Sequence, residues 1–174
     1  MARLLNFLDH TVVYIYNPIH QILDDLKHLV SEVTQSTAFA NVDPYNIIDG
    51  KIYNSSVFSE YSKYCMHTDH HQNEWLKLHF KKRVVIVFIH FFNRVNIKFS
   101  YRSNNLVMKA LLDNADQEQT ETFCANTGIM NNVRDKIFRC EKPDTLADEF
   151  LVINNKGDIE PLNICELNIY GFEL

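Results

Sequence analysis

Four cysteines, a histidine and a glutamate are the groups in this chain whose spacing could do chemistry. Cys65 stands two residues before His67, Cys124 and Cys140 are 16 apart, and Cys165 is followed at once by Glu166. Thiolates could hold zinc, but no CxxC pair exists to wrap the ion from one turn, so an even count at these separations reads as two disulfides. Four cysteines permit three pairings, and the sequence does not choose among them. Joining Cys124 to Cys140 would close about 15 residues and contribute roughly 3 kcal/mol, whereas joining Cys65 to Cys165 would close about 100 and contribute roughly 4.7, in the chain-entropy account. Either bridge needs an oxidising compartment, so an extracellular protein is expected, the competing reading being four buried free thiols in a cytosolic core.

Other chemistries have less to stand on. The run His67-Thr68-Asp69-His70-His71 carries zinc-ligand or nickel-ligand types, and an extended backbone would put His67, Asp69 and His71 on one side, but no further Cys or Glu is free by pattern to complete a site. There is no GxSxG elbow, HExxH, P-loop or dinucleotide glycine pattern, and the chain has only four glycines, so no enzyme is expected. A net charge of -5, with no basic run longer than Lys81-Lys82-Arg83, argues against a nucleic-acid partner, and that triplet reads as a solvated turn. No apolar run reaches 18 residues, so no membrane insertion is expected, and the interrupted N-terminus offers no clean signal-peptide h-region. The triplet Asn54-Ser55-Ser56 is a glycosylation sequon, in weak agreement with secretion.

These groups need a scaffold, and 174 residues with 46% apolar content can bury one sizeable core. Residues 17–33 carry a helical stripe: Asn17 as N-cap, Pro18 at the first helical position, then Ile19, Ile22, Leu23, Leu26, Leu29, Val30 and Val33 on one face. An N-terminal amphipathic helix is therefore expected within an extension of residues 1–33, ahead of a domain of residues 34–174. From there the chain breaks into short runs separated by Asn, Asp, Ser and Gly. Trp75 to Phe80 alternates, Val84 to Phe92 is apolar apart from His90, and further runs lie at Asn105 to Leu111, Lys136 to Cys140, Phe150 to Ile153 and Asn163 to Tyr170. Many strands without a βαβ rhythm predict an all-β, jelly-roll β-sandwich.

Several of these segments, in order, resemble one family. Asn46-Ile47-Ile48-Asp49-Gly50, Cys65-Met66-His67-Thr68, Glu74-Trp75-Leu76-Lys77-Leu78, Asn93-Arg94, Lys136-Ile137-Phe138-Arg139-Cys140 and Leu162-Asn163-Ile164-Cys165-Glu166-Leu167-Asn168-Ile169-Tyr170-Gly171 together resemble the F-type lectins, or fucolectins. That family consists of fucose-binding modules on the discoidin-like, galactose-binding-domain jelly roll. The resemblance implies a sugar site at His67 and Arg94, which are separated by the family's 26 residues. Where the family has an aspartate two after the arginine this chain has Asn96. Where it has a second basic residue this chain has Tyr101, with Arg102 one step later, and the family's adjacent Cys-Cys pair is absent.

A neutral sugar presents hydroxyls that donate and accept, so its site needs fixed donors and an apolar surface for the C–H face. An arginine fork can serve two vicinal oxygens, a histidine nitrogen can read an axial hydroxyl, and Tyr61 and Tyr64 could wall a pocket for the C6 methyl of L-fucose. The resemblance also implies a structural calcium site on Asn46, Asp49, Lys51, Tyr64, Cys165 and Glu166, with Lys51 and Cys165 able to offer only carbonyl oxygen; hard oxygen ligands on loops suit that ion. The expectation carried forward is a secreted lectin for fucosylated or related glycans. It binds sugar through His67, Arg94, Arg102 and Tyr61, and is stabilised by calcium and by the bridges Cys65–Cys165 and Cys124–Cys140. The alternative is a discoidin-like interaction or structural domain that does not bind sugar. Weak single sites gain from multivalency, so a homo-oligomer would suit the function.

Overall fold

The computed structural model describes residues 23–52, 64–94, 98–114 and 117–174. Ten strands order the described residues. They are β1 (Asp24–Asp25), β2 (Val30–Gln35), β3 (Met66–His67), β4 (Trp75–Phe92), β5 (Leu106–Asn114), β6 (Gln117–Asn126), β7 (Asp135–Phe138), β8 (Thr145–Asn154), β9 (Asn163–Ile164) and β10 (Glu166–Glu173). The pairings among them are antiparallel. The main sheet runs β1-β10-β4-β8-β5-β6, with β2 and β7 also on β4, and β3 pairs β9 separately. This is an all-β architecture of the jelly-roll kind.

The organising element is β4, 18 residues long. Its first half alternates, burying Leu76, Leu78 and Phe80, and pairs with β2 and β8; its second half pairs with β10 and β7 and, over residues 84–86, again with β8. Between the halves the ladder to β8 skips from His79 to Val84. The skipped stretch contains Lys81-Lys82-Arg83, expected as a turn and found exposed inside the strand. Each cation there ties the bend to a neighbour. Lys81 donates to the His28 carbonyl (3.1 Å), Lys82 pairs with Glu173, and Arg83 grips Asp148 with two nitrogens (2.9 and 3.2 Å). A strand irregular at such a point can serve both layers of a sandwich.

The expected N-terminal helix is not the structure found over residues 23–33; residues 17–22 lie outside the described residues. Asp24 and Asp25 pair with Gly171 and Tyr170, Leu26–Leu29 form one 3-10 turn capped by the Asp25 side chain, and Val30 onward pairs with β4. Leu26, Leu29 and Val33 are buried in the main core. Spacings of three and four fit one 3-10 turn followed by a strand as well as they fit a helix, and pairing with β4 supplies the backbone partners that decide between them. Asp24, Asp25 and the strand from Val30 onward thus pair within the sheet, on either side of the 3-10 turn.

The two disulfides join Cys65 to Cys165 and Cys124 to Cys140, as expected, and no free cysteine remains. The first clamps the strand pair β3/β9, since Cys65 precedes β3 and Cys165 stands between β9 and β10. The second ties β6, at the sheet edge, to the segment after β7.

Candidate binding site

Asn93, directly after β4 and 1% exposed, is the hub of the loops at this end of the sandwich. Its side-chain amide lies within 3.1 Å of the carbonyls of Ser100, Met130 and Val133, and its oxygen accepts from the Arg94 backbone N–H (2.7 Å). The Ser103 hydroxyl sits 2.8 Å from both that oxygen and the Asn163 carbonyl. One buried amide therefore fixes the exit of β4, the 3-10 turn Ser100–Ser103 and, through Ser103, β9. Those are the segments that carry Arg94 and Arg102 and face His67. Buried polar groups this fully bonded specify one geometry.

His67, 2% exposed, enters from β3, held opposite Asn163. Its Nδ1 lies 2.6 Å from the Thr68 carbonyl and can only donate there, which leaves Nε2 as an acceptor; the Arg102 guanidinium donates to it at 2.8 Å. Burial lowers the His67 pKa to about 4; the Thr68 carbonyl opposes this, while Arg102, Arg94 and His70 add to the lowering. The ring is therefore neutral at neutral pH. Both guanidiniums stack on one aromatic, with Arg94 4.8 Å and Arg102 4.6 Å from the Phe99 ring centre. Phe39 packs on the His67 ring at 4.9 Å, with His70 alongside at 6.4 Å.

Phe39 comes from a 3-10 turn whose next two residues, Ala40 and Asn41, have φ of 51° and 57°. An alanine in the left-handed region is strained. The segment is held there by Glu74, 1% exposed, which accepts from Ser36 and from Thr37 (2.8 Å) and pairs with His71 (3.1 Å). Opposite, Glu160 lies 3.8 Å from the Arg102 Nε, and Lys156 donates to the Arg102 carbonyl (3.2 Å).

A second cluster lies behind the Cys65–Cys165 bridge. Glu166 is 1% exposed, and neither of its carboxylate oxygens meets hydrogen-bond geometry with any donor. Burial and the nearby Asp49 carboxylate push its pKa up to about 8, with Asp25 adding to this; Lys27 and the Gly50 backbone N–H favour the charged form. Tyr64 packs on the disulfide.

No family model matches the chain, and no curated protein matches it in sequence. Solved structures do match in shape. The F-lectin from striped bass (Morone saxatilis) serum superposes with a TM-score of 0.69 at 22% identity, over 87% of this chain and 48% of that one, so the chain spans about half the length of that protein. The lectin domain of lectinolysin, solved with Lewis b antigen, gives 0.66 at 18% identity over 84% of this chain and 95% of that one. A fucose-binding module from Streptococcus pneumoniae gives 0.62 at 22% over 86% and 96%. The chain has the F-type lectin fold.

On that fold the predicted sugar residues His67, Arg94 and Arg102 do converge. Tyr101, which stands where the family has its second basic residue, is 37% exposed, while Arg102 reaches His67 from the same 3-10 turn. Tyr61 and Asn96 lie outside the described residues. Phe39 was missed by sequence reasoning, because a lone aromatic in a polar loop carries no periodic signal. Phe99 was missed for the same reason. The histidine run does not gather: His71 pairs with Glu74, and the described residues contain no group of three His, Cys, Asp or Glu side chains arranged to hold a metal.

The calcium expected from the family resemblance can be tested against the residues present. A buried carboxylate with two unbonded oxygens beside the Asp49 carboxylate is the chemistry of a hard cation's ligand set, and it fits calcium. Glu166 and Asp49 would supply the charge, and Asn46, Lys51, Tyr64 and Cys165 the neutral oxygens.

The neutral state of His67 has a measurable consequence. An unfolded histidine takes up its proton near pH 6.5, whereas His67 resists until about 4. Stability from this group is therefore complete above about 6.5 and is lost as pH falls toward 4, by up to about 3 kcal/mol. Melting temperature should drop over that window in the wild type and less steeply in His67→Gln; equal slopes would show that another group is responsible.

Proposed function

We propose that this protein is a non-catalytic lectin that binds terminal L-fucose or a closely related sugar on glycans, in an oxidising, extracellular setting. The observation that carries the reading is the convergence of His67 and Arg102, joined at 2.8 Å, with Arg94 against the same Phe99 ring. Two guanidinium forks supply fixed donors for vicinal hydroxyls, the neutral His67 ring holds the Arg102 fork in place by accepting from it, and Phe39 supplies an apolar face. Similar structures hold Lewis b antigen and galactose, and another is a fucose-binding module, which supports sugar as the ligand class. Calcium held by Asp49 and Glu166 would pin the 46–51 segment to the C-terminal strand and so steady the loops from behind. Several copies of the module would raise apparent affinity for clustered glycans without new contacts.

The test is thermal unfolding of the oxidised protein with and without L-fucose, with calcium or a chelator in each case. Binding at 100 times Kd would add about 2.7 kcal/mol to the unfolding free energy, which is roughly 5–10 °C for a chain of this size. A shift with fucose establishes the lectin. A shift with calcium and none at millimolar fucose sinks it and leaves the interaction-domain alternative.

A further inference from the structure

The calcium-type cluster carries two lysines that the ligand chemistry does not ask for. Lys51 engages both oxygens of Asp49, its ammonium 2.8 Å from Oδ2 and its own backbone N–H 2.8 Å from Oδ1. Lys27 arrives from the 3-10 turn between β1 and β2 and pairs with Asp25 at 3.2 Å. Its ammonium stands over Gly50, 3.9 Å from where a Cβ at that position would lie. Lys27 and Glu166 each feel the other's charge. Asp25 and Asp49 each pair with an ammonium group, both carboxylates act on the charge of Glu166, and of the three Glu166 alone is left without a hydrogen-bonded partner.

We propose that Lys27 and Lys51 are built-in counter-ions of this carboxylate group, so that calcium binds only by displacing Lys51 from Asp49 and against the charge of Lys27. The inference rests on the calcium assignment made above. Its physical basis is direct. A divalent ion about 5 Å from one ammonium, in a largely aqueous medium, is disfavoured about tenfold.

The experiment is a calorimetric titration of the full chain with calcium chloride, paired with thermal unfolding in calcium and in chelator. Wild type is compared with Lys51→Asn, Lys27→Gln and, as a charge control, Lys142→Gln on another turn. Both lysine side chains are substantially exposed, 64% for Lys51 and 42% for Lys27, so neither change removes core packing. The expected result is calcium binding about tenfold tighter in Lys51→Asn and in Lys27→Gln, a larger calcium-dependent rise in melting temperature in both, and wild-type behaviour in Lys142→Gln. Equal or weaker binding in both variants overturns the proposal, and a response in only one overturns the part given to the other lysine. Absence of calcium binding in every sample refutes the metal assignment and this inference together. L-fucose titration of the same samples reports separately whether the lectin reading stands.

Discussion

Replacing Arg94 with lysine should lower L-fucose affinity at least about 100-fold while leaving the disulfides and near-native melting behaviour in place. Charge is kept, so the loss isolates the planar fork. A guanidinium donates two parallel bonds to neighbouring oxygens and stacks on Phe99 4.8 Å away, and an ammonium on a flexible stem does neither. Two charge-assisted hydrogen bonds, each worth about 1.5–3 kcal/mol, correspond to roughly 100-fold or more. Isothermal titration with L-fucose checks the affinity, and near-UV circular dichroism checks the fold, which matters because Arg94 is 1% exposed. Sugar binding that survives the change would place the site elsewhere on the molecule. Unfolding of Arg94→Lys would be resolved with Arg102→Lys, whose side chain is less buried and which should lose affinity through the His67 contact.

Removal of the Cys65–Cys165 bridge, as the double serine variant, should be the most destabilising single edit to the covalent structure. The bridge spans 100 residues, for which the chain-entropy account gives about 4.7 kcal/mol, or roughly 10–20 °C in melting temperature. The Cys124–Cys140 bridge spans 16 and should cost about 3 kcal/mol. The two differ in kind as well as in size. Cys65 is two residues from His67 and Cys165 is bonded to Glu166, so the long bridge joins the sugar-type and cation-type clusters through the β3/β9 pair. Its loss should weaken fucose binding as well as stability, whereas loss of the short bridge should leave fucose affinity within about twofold. Differential scanning calorimetry and sugar titration on the two variants separate these outcomes; a larger cost for the short bridge would sink the account.

The parts of this protein that could be read from its residues alone are those set by local pattern or covalent count. Alternation in Trp75 to Phe80 and the apolar run Val84 to Phe92 gave the two halves of the longest strand, because side-chain direction in a strand follows a period of two whatever surrounds it. An even cysteine count without a CxxC pair gave two bridges, and the resemblance to the F-type lectins singled out His67 and Arg94, which the fold brings to one Phe99 and Arg102 neighbourhood. The tertiary structure decided what depends on partners distant in sequence. Leu26, Leu29 and Val33 sit in a 3-10 turn and a strand rather than a helix because β4 and β10 offer backbone partners there. The polar strand β6 was invisible in the sequence because an edge strand has little core face to mark it. Lys81-Lys82-Arg83 continues β4 because His28, Glu173, Asp148 and Asp113 neutralise or accept from each cation. Arg102 rather than Tyr101 meets His67, and Phe39 faces the same ring. A shift of one residue on a 3-10 turn rotates a side chain by about a third of a turn, and only the packing of Asn93 and Ser103 beneath it sets which residue points inward.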